Sequence, residues 1–302
     1  MHECPMVALR SVDLDVPDLA AARKFYTEAW GLEVAVQTHE ALYLHATGDD
    51  HHVLALHQGA APALRSVTFR ARAREDLEAA AAAAARHGGR LLQPVGEVDW
   101  AAGGIGTAIL DPRGRTLRLV YDDVRRIADA PVRDRPTRLS HVNINSTATD
   151  DDARFFEGAL RFHLTDRSKI MAFVTCNSDH HCIVIADAPV NGLNHIAFMM
   201  PDLEGVMLGS GRMIDHKFPI GWGVGRHGPG NNVFAYFVDP FGIVVEYTAE
   251  VLQVDEHYRV GGPDDWSWPA GRTDHWGIAP PKSEAVKRAQ LAIPCIQPEN
   301  AA

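Results

Sequence analysis

The sequence predicts an α+β protein built from four similar units in two halves, and three observations predict it. The chain repeats itself at roughly 130 residues. Each unit reads as a strand, a helix and then short strands. A Pro- and Arg-bearing stretch, residues 129–138, separates the copies. The repeat is visible in three alignments: Leu9-Arg10-Ser11 with Leu139-Ser140-His141, Leu64-Arg65-Ser66 with Leu193-Asn194-His195, and Asp111-Pro112-Arg113-Gly114 with Asp239-Pro240-Phe241-Gly242. The last alignment carries Arg118 onto Glu246. The second copy therefore has His, His and Glu where the first has Ser, Ser and Arg. The expected division is residues 1–128, a linker at 129–138, residues 139–252, and an irregular tail from 253 to 302.

The elements follow in order. Residues 7–16 alternate as a strand, Asp18 is placed as an N-cap, and 19–30 form an amphipathic helix ended by Gly31. Strands are expected at 42–45 and 52–56. The second unit opens with a strand at 64–70. Its Ala-rich helix, 74–87, stops at Gly88-Gly89, and strands at 106–110 and 116–121 flank the Asp111–Gly114 turn. The third unit reads strand 139–145, helix 150–160, and strands near 171–176 and 181–186. The fourth reads strand 193–199, helix 202–213, a Gly-rich loop at 221–230, and strands 233–238 and 243–249. Phe25-Tyr26 and Phe155-Phe156 occupy equivalent helical positions and are expected in the core.

Composition excludes several function classes. With 302 residues, 46% hydrophobic and 23% charged, the chain can bury a core without disulfides or a structural metal. A net charge of −10 argues against a nucleic-acid partner. No apolar run approaches a membrane span, and the N-terminus lacks the pattern of a signal peptide. The four cysteines show no C-x-x-C spacing, so reduced thiols and a cytoplasmic location are expected.

His141, His195 and Glu246 stand about one unit apart, each on a strand, where alternation lets one inward position per strand aim at a shared centre. Any one alone reads as structural. Their joint replacement in the other copy makes them candidate metal ligands, and two imidazoles with one carboxylate are the ligand set of non-haem Fe(II) oxygen-activating sites.

Three segments carry a resemblance. Gly192-Leu193-Asn194-His195-Ile196-Ala197-Phe198, Gly225-Arg226-His227-Gly228, and Tyr236-Phe237-Val238-Asp239-Pro240-Phe241-Gly242 with Glu246 resemble type I extradiol ring-cleavage dioxygenases of the vicinal oxygen chelate superfamily. The resemblance spans about residues 7–250. It implies four βαβββ modules paired into two glyoxalase-like domains, the C-terminal one catalytic. It also implies Fe(II), less often Mn(II), held by His141, His195 and Glu246, an aromatic diol and O2 as substrates, and a homo-oligomer. His181 matches the acid–base histidine near dioxygen, His227 the loop histidine near the substrate hydroxyl, and Tyr236 the phenol facing the catecholate. Motif position favours His181 over its neighbour His180, although His51-His52 in the first copy makes the double histidine uninformative by itself. Asn143, His180, Phe173 and Phe198 are candidate pocket residues beside Met171, and Trp266, Trp268 and His275 are tail residues that either close the site or pack the tail down.

Gly223-Val224-Gly225-Arg226-His227-Gly228 fits G-x-G-x-x-G, but a strand rather than a helix is expected to follow, so no dinucleotide cofactor is expected. Two other functions fit the same modules: a glyoxalase-type metal-dependent isomerase or lyase, whose sites generally use four protein ligands, and a binding protein without chemistry.

Overall fold

The structure is a computed structural model that describes residues 4–268 and 270–298. The first half contains β1 (Met6–Val16), α1 (Leu19–Lys24), β2 (Glu33–Gln37), β3 (Ala41–His45), β4 (Leu54–Gln58), β5 (Ala63–Ala71), α2 (Arg74–Ala84), β6 (Arg90–Glu97), β7 (Ile105–Leu110) and β8 (Thr116–Tyr121). Its strands form one eight-stranded sheet in the order β2-β3-β4-β1-β5-β8-β7-β6.

The second half repeats this with β9 (Arg138–Ser146), α3 (Thr149–Leu160), β10 (His163–Arg167), β11 (Met171–Thr175), β12 (Ile183–Asp187), β13 (Gly192–Met199), α4 (Leu203–Asp215), β14 (Trp222–Arg226), β15 (Val233–Val238) and β16 (Val244–Ala249). The order is the same, β10-β11-β12-β9-β13-β16-β15-β14. In each module the opening strand pairs in parallel with the closing strand, and the two opening strands of a sheet pair antiparallel at its centre.

The helices begin and end where their sequences allow. Asp18 caps α1 by accepting the amides of Ala20 and Ala21, each at 2.9 Å. The helix continues through a wider turn at Phe25–Ala29 to Gly31, whose φ of 91° suits glycine. Asp202 caps α4. Phe25, Tyr26, Phe155 and Phe156 are buried. Among the described residues, no helix is long and apolar enough to cross a membrane.

Two expectations are corrected. The stretch 221–230 is not all loop: Trp222–Arg226 is an edge strand, and β2, β6 and β10 are edge or near-edge strands without a clear alternating signal. Nor is the tail wholly irregular. It forms α5 (Glu284–Ala289) and β17 (Ile293–Pro294), the latter pairing with β13. Beyond β17, Cys295 bridges to Leu64, and the Ile296 amide donates to the Leu64 carbonyl at 2.8 Å, so the tail touches both sheets.

The halves are joined by polar and aromatic contacts. Trp30 stacks on Tyr247 at 3.7 Å, and the Tyr247 hydroxyl donates to the Trp30 carbonyl at 2.5 Å. The Tyr26 hydroxyl donates to Asp239 at 2.9 Å. Arg115 is buried between Asp111 and Asp152.

Candidate functional site

Three adjacent strands, β9, β13 and β16, present His141, His195 and Glu246. Ala197 of β13 lies opposite His141 on one side and Glu246 on the other, so the ligands are set by sheet register rather than by loops. The first sheet repeats the frame: Thr68 lies between Ser11 and Arg118. Register thus places Ser11, Ser66 and Arg118 where the second sheet has its three candidate ligands. There the Arg118 guanidinium donates to Asp13 at 2.8 Å, and the cavity is only about 130 Å³.

In the second sheet His141 Nε2, His195 Nε2 and Glu246 Oε2 form a triangle with edges of 3.0, 3.1 and 3.2 Å. All three residues are buried, and these are the groups among the described residues that could hold a metal ion. A chain of hydrogen bonds fixes what His195 offers. The Asn145 amide donates to the Gln290 carbonyl at 2.6 Å, so the Asn145 oxygen faces Asn194 and accepts from its amide at 2.8 Å. The Asn194 oxygen therefore faces His195 Nδ1 at 2.9 Å, and Nδ1 must be the protonated nitrogen. His195 Nε2 is left as a bare lone pair aimed at a carboxylate oxygen that no donor reaches.

Lone pairs this close repel unless a cation lies among them. Ligands at right angles about 2.1 Å from one metal lie about 3.0 Å apart, matching the observed edges. The three residues therefore fit a divalent ion bound on one face, with its other positions open.

The open face looks into a cavity of about 500 Å³. His181, His227, Tyr236, Asn143, Phe173 and Met171 all line it, in positions the sequence proposed. His227 Nε2 is 3.2 Å from the Tyr236 hydroxyl. Burial pulls the His227 pKa down to about 3 and that of His181 well below the ordinary value, so both rings are neutral near pH 7. Burial also raises Tyr236 well above 10 and keeps the phenol protonated. The Asn143 oxygen is buried with no donor of its own.

Two pocket expectations are corrected. Phe198 lies three positions after His195, hence on the opposite face of β13, where it packs against Trp30 in the core. His180 turns away from the cavity to Asp166. Trp266 and Trp268 do line the cavity, whereas His275 packs beside Trp268.

Sequence reasoning missed Lys282 and Gln290. Lys282 Nζ sits 4.4 Å over the Trp222 ring and donates to the Gln290 side-chain oxygen at 3.2 Å, while the Gln290 amide donates to Asn194 at 2.8 Å. The tail thus completes the bonding behind His195. Neither residue has a counterpart in the first copy, so the repeat could not expose them.

The family model described as the Glyoxalase/Bleomycin resistance protein/Dioxygenase superfamily matches residues 8–119 and 138–247. Metapyrocatechase 2 of Cupriavidus necator is 30% identical over 295 residues, covering 88% of this chain and 87% of that protein. A manganese-dependent 2,3-dihydroxybiphenyl 1,2-dioxygenase from Geobacillus genomosp. 3 is 23% identical over 259 residues, covering 76% and 80%. The Mn(II)-bound glyoxalase from Novosphingobium aromaticivorans superposes with a TM-score of 0.87 at 30% identity, covering 93% and 94%.

Proposed function

We propose, from the premise that this chain belongs to the Glyoxalase/Bleomycin resistance protein/Dioxygenase superfamily, that it is an extradiol catechol dioxygenase. It opens an aromatic ring beside two adjacent hydroxyls, consumes one O2 per ring and yields a muconic semialdehyde-type product. Similarity to metapyrocatechase 2 over most of both chains supports this reading. The observation that carries it is the three-atom ligand face opening onto a cavity that also holds His181, His227 and Tyr236.

His141, His195 and Glu246 would hold the divalent ion, Fe(II) in this reading, with Mn(II) served by the same ligand set. Bound there, the metal supplies a template for diol and dioxygen and an electron path between them. The protein's own groups do the rest. Tyr236, kept protonated, donates a hydrogen bond to a bound diol oxygen. Neutral His227, beside it, accepts or returns a proton over a short distance. His181, across the cavity, is the second acid–base group. The Asn143 oxygen gains a donor when a diol hydroxyl enters. Phe173 and the Trp side chains exclude water from the ring.

The test is reconstitution of metal-free protein with Fe(II) without air, followed by catechol and O2. The expected result is one metal per chain, stoichiometric O2 uptake and a yellow product. Glu246→Ala is expected to lose metal and all ring opening. Full activity of that variant with added Fe(II) would falsify the reading.

The Novosphingobium protein is called a glyoxalase, which favours a second reading, a metal-dependent isomerase or lyase. Against it, the cluster offers three protein ligands and no fourth among the described residues. An oxygen electrode separates the two, because an isomerase or lyase consumes no O2.

A further inference from the structure

Behind the cavity lies a buried cluster that the mechanism above does not use. Resting on the dioxygenase reading and extending it, we propose that Asp166 and His180 are positioning residues for His181. They decide which of its ring nitrogens carries the proton, so that His181 keeps Nε2 bare, ready to take a proton from a bound diol.

The assignment follows from bond directions. Asp166 and His180 are fully buried, and His180 Nε2 lies 2.6 Å from Asp166 Oδ2. The Gly261 amide donates to Asp166 Oδ1 at 2.7 Å, and the Tyr258 hydroxyl donates to Oδ2 at 3.1 Å. Donors reach both oxygens, so the carboxylate accepts and His180 Nε2 carries the hydrogen. With His180 as the neutral ring, a lone pair stands on its Nδ1. That atom lies 3.0 Å from His181 Nδ1, so in this arrangement His181 donates from Nδ1 and its Nε2 is unprotonated. His181 lines the cavity, and Nε2 is the nitrogen that His180 does not engage.

The surroundings hold this arrangement still. Thr165 donates to the His180 carbonyl at 2.7 Å, and the His180 amide donates to the Leu252 carbonyl at 2.8 Å. Gly230, with φ of 75°, lies against the two rings. A Cβ there would fall 2.7 Å from His181 Cε1 and 3.2 Å from His180 Nδ1.

The first copy supplies the control. His51 and His52 make the same contact, Nδ1 to Nδ1 at 2.9 Å. However, Val36 stands in the place of Asp166: it pairs with Tyr43 as Asp166 pairs with Phe173. There the polarity is set from the other end, by the Arg10 guanidinium 2.6 Å from His52 Nε2. That device occupies the nitrogen that His181 must keep free. Setting the polarity from behind, through Asp166, leaves the working nitrogen open.

The test is histidine nitrogen NMR on metal-free, 15N-histidine-labelled protein, with His181 assigned by its loss in His181→Gln. The expected signature is a protonated Nδ1 and an unprotonated Nε2. In Asp166→Asn the Gly261 amide holds the Asn oxygen, so its NH2 turns to His180 Nε2. Both rings then invert, and His181 shows Nε2–H. The kcat for ring opening is expected to fall on the order of 10²–10⁴-fold, with KM and metal content unchanged, as when another catalytic histidine is held in the wrong tautomer. An Nε2-protonated His181 in the unaltered protein overturns the proposal, and that spectrum decides even where the variant does not fold. Full kcat in a metal-loaded Asp166→Asn overturns it as well. Failure of the unaltered protein to open any ring sinks the dioxygenase reading instead and leaves the tautomer result standing.

Discussion

Lys282 shows how a single side chain can serve a site at the expense of the fold. Its ammonium is buried over Trp222 near Tyr236, and burial lowers its pKa from 10.5 to about 8. The folded protein thus holds this proton less tightly than the unfolded chain does. Stability from this group therefore rises with pH between about 8 and 10.5, and the penalty is fully present below 8. Lys282→Met is expected to stabilise the metal-free protein at pH 7 by up to about 3 kcal/mol. It should also raise KM roughly tenfold, because the lost charge no longer favours the anion that forms when the bound diol gives up a proton. Thermal melts and O2-uptake kinetics check both, and a destabilised variant with unchanged KM refutes the role. His141, His195 and Glu246 could be read from the sequence because an inert copy stood beside them. Lys282 and Gln290 could not, since they lie in a segment with neither periodicity nor a counterpart. Phe198, expected in the pocket, lies in the core because strand alternation from His195 puts it on the opposite face of β13.

At the level of elements, strand pairing both supports the site and limits how much of it sequence could foretell. Central strands were legible: β8 runs over Thr116–Tyr121, as expected, and β15 and β16 fall close to their expected places. Edge strands were not. β2 has little buried surface, and β14 contains two glycines, so neither shows the alternation that one-sided burial imposes. The tail's β17 was hidden for another reason: two residues carry no period. Its docking depends on Gly192, whose Cβ would lie 2.3 Å from the Ile293 carbonyl. Gly192→Val is expected to lift β17 from β13 and draw Gln290 off Asn194. Metal affinity should fall about 10- to 100-fold, as when a ligand's supporting hydrogen bond is lost. Isothermal titration with Fe(II) measures this, and circular dichroism should show both sheets retained.

Across the whole molecule, the halves lean on ionisable groups that differ between the copies. In the second-half turn, burial raises Asp239 to about 7 against the opposing pull of the Ile243 and Phe241 amides and the Tyr26 hydroxyl. Its folded pKa lies above the ordinary 3.8, so the protonated form suits the fold. The stability it brings is full below about pH 4 and is lost as pH rises through about 7. Asp239→Asn keeps the amide-accepting oxygen. It is expected to flatten the dependence between pH 4 and 7 and to gain on the order of a few kcal/mol at pH 8. Urea unfolding at the two pH values reads the difference, and parallel curves for both proteins would count against it. The equivalent turn in the first half carries Asp111, which shares the buried Arg115 with Asp152; burial raises its pKa as well, against the opposing pull of that guanidinium. The tail's hold on His195 has one more consequence, in time rather than in space. On the ribosome, every strand bearing a ligand emerges before Lys282 and Gln290 do. Translation order therefore completes the ligand-bearing strands first and supplies last the segment that fixes the His195 tautomer.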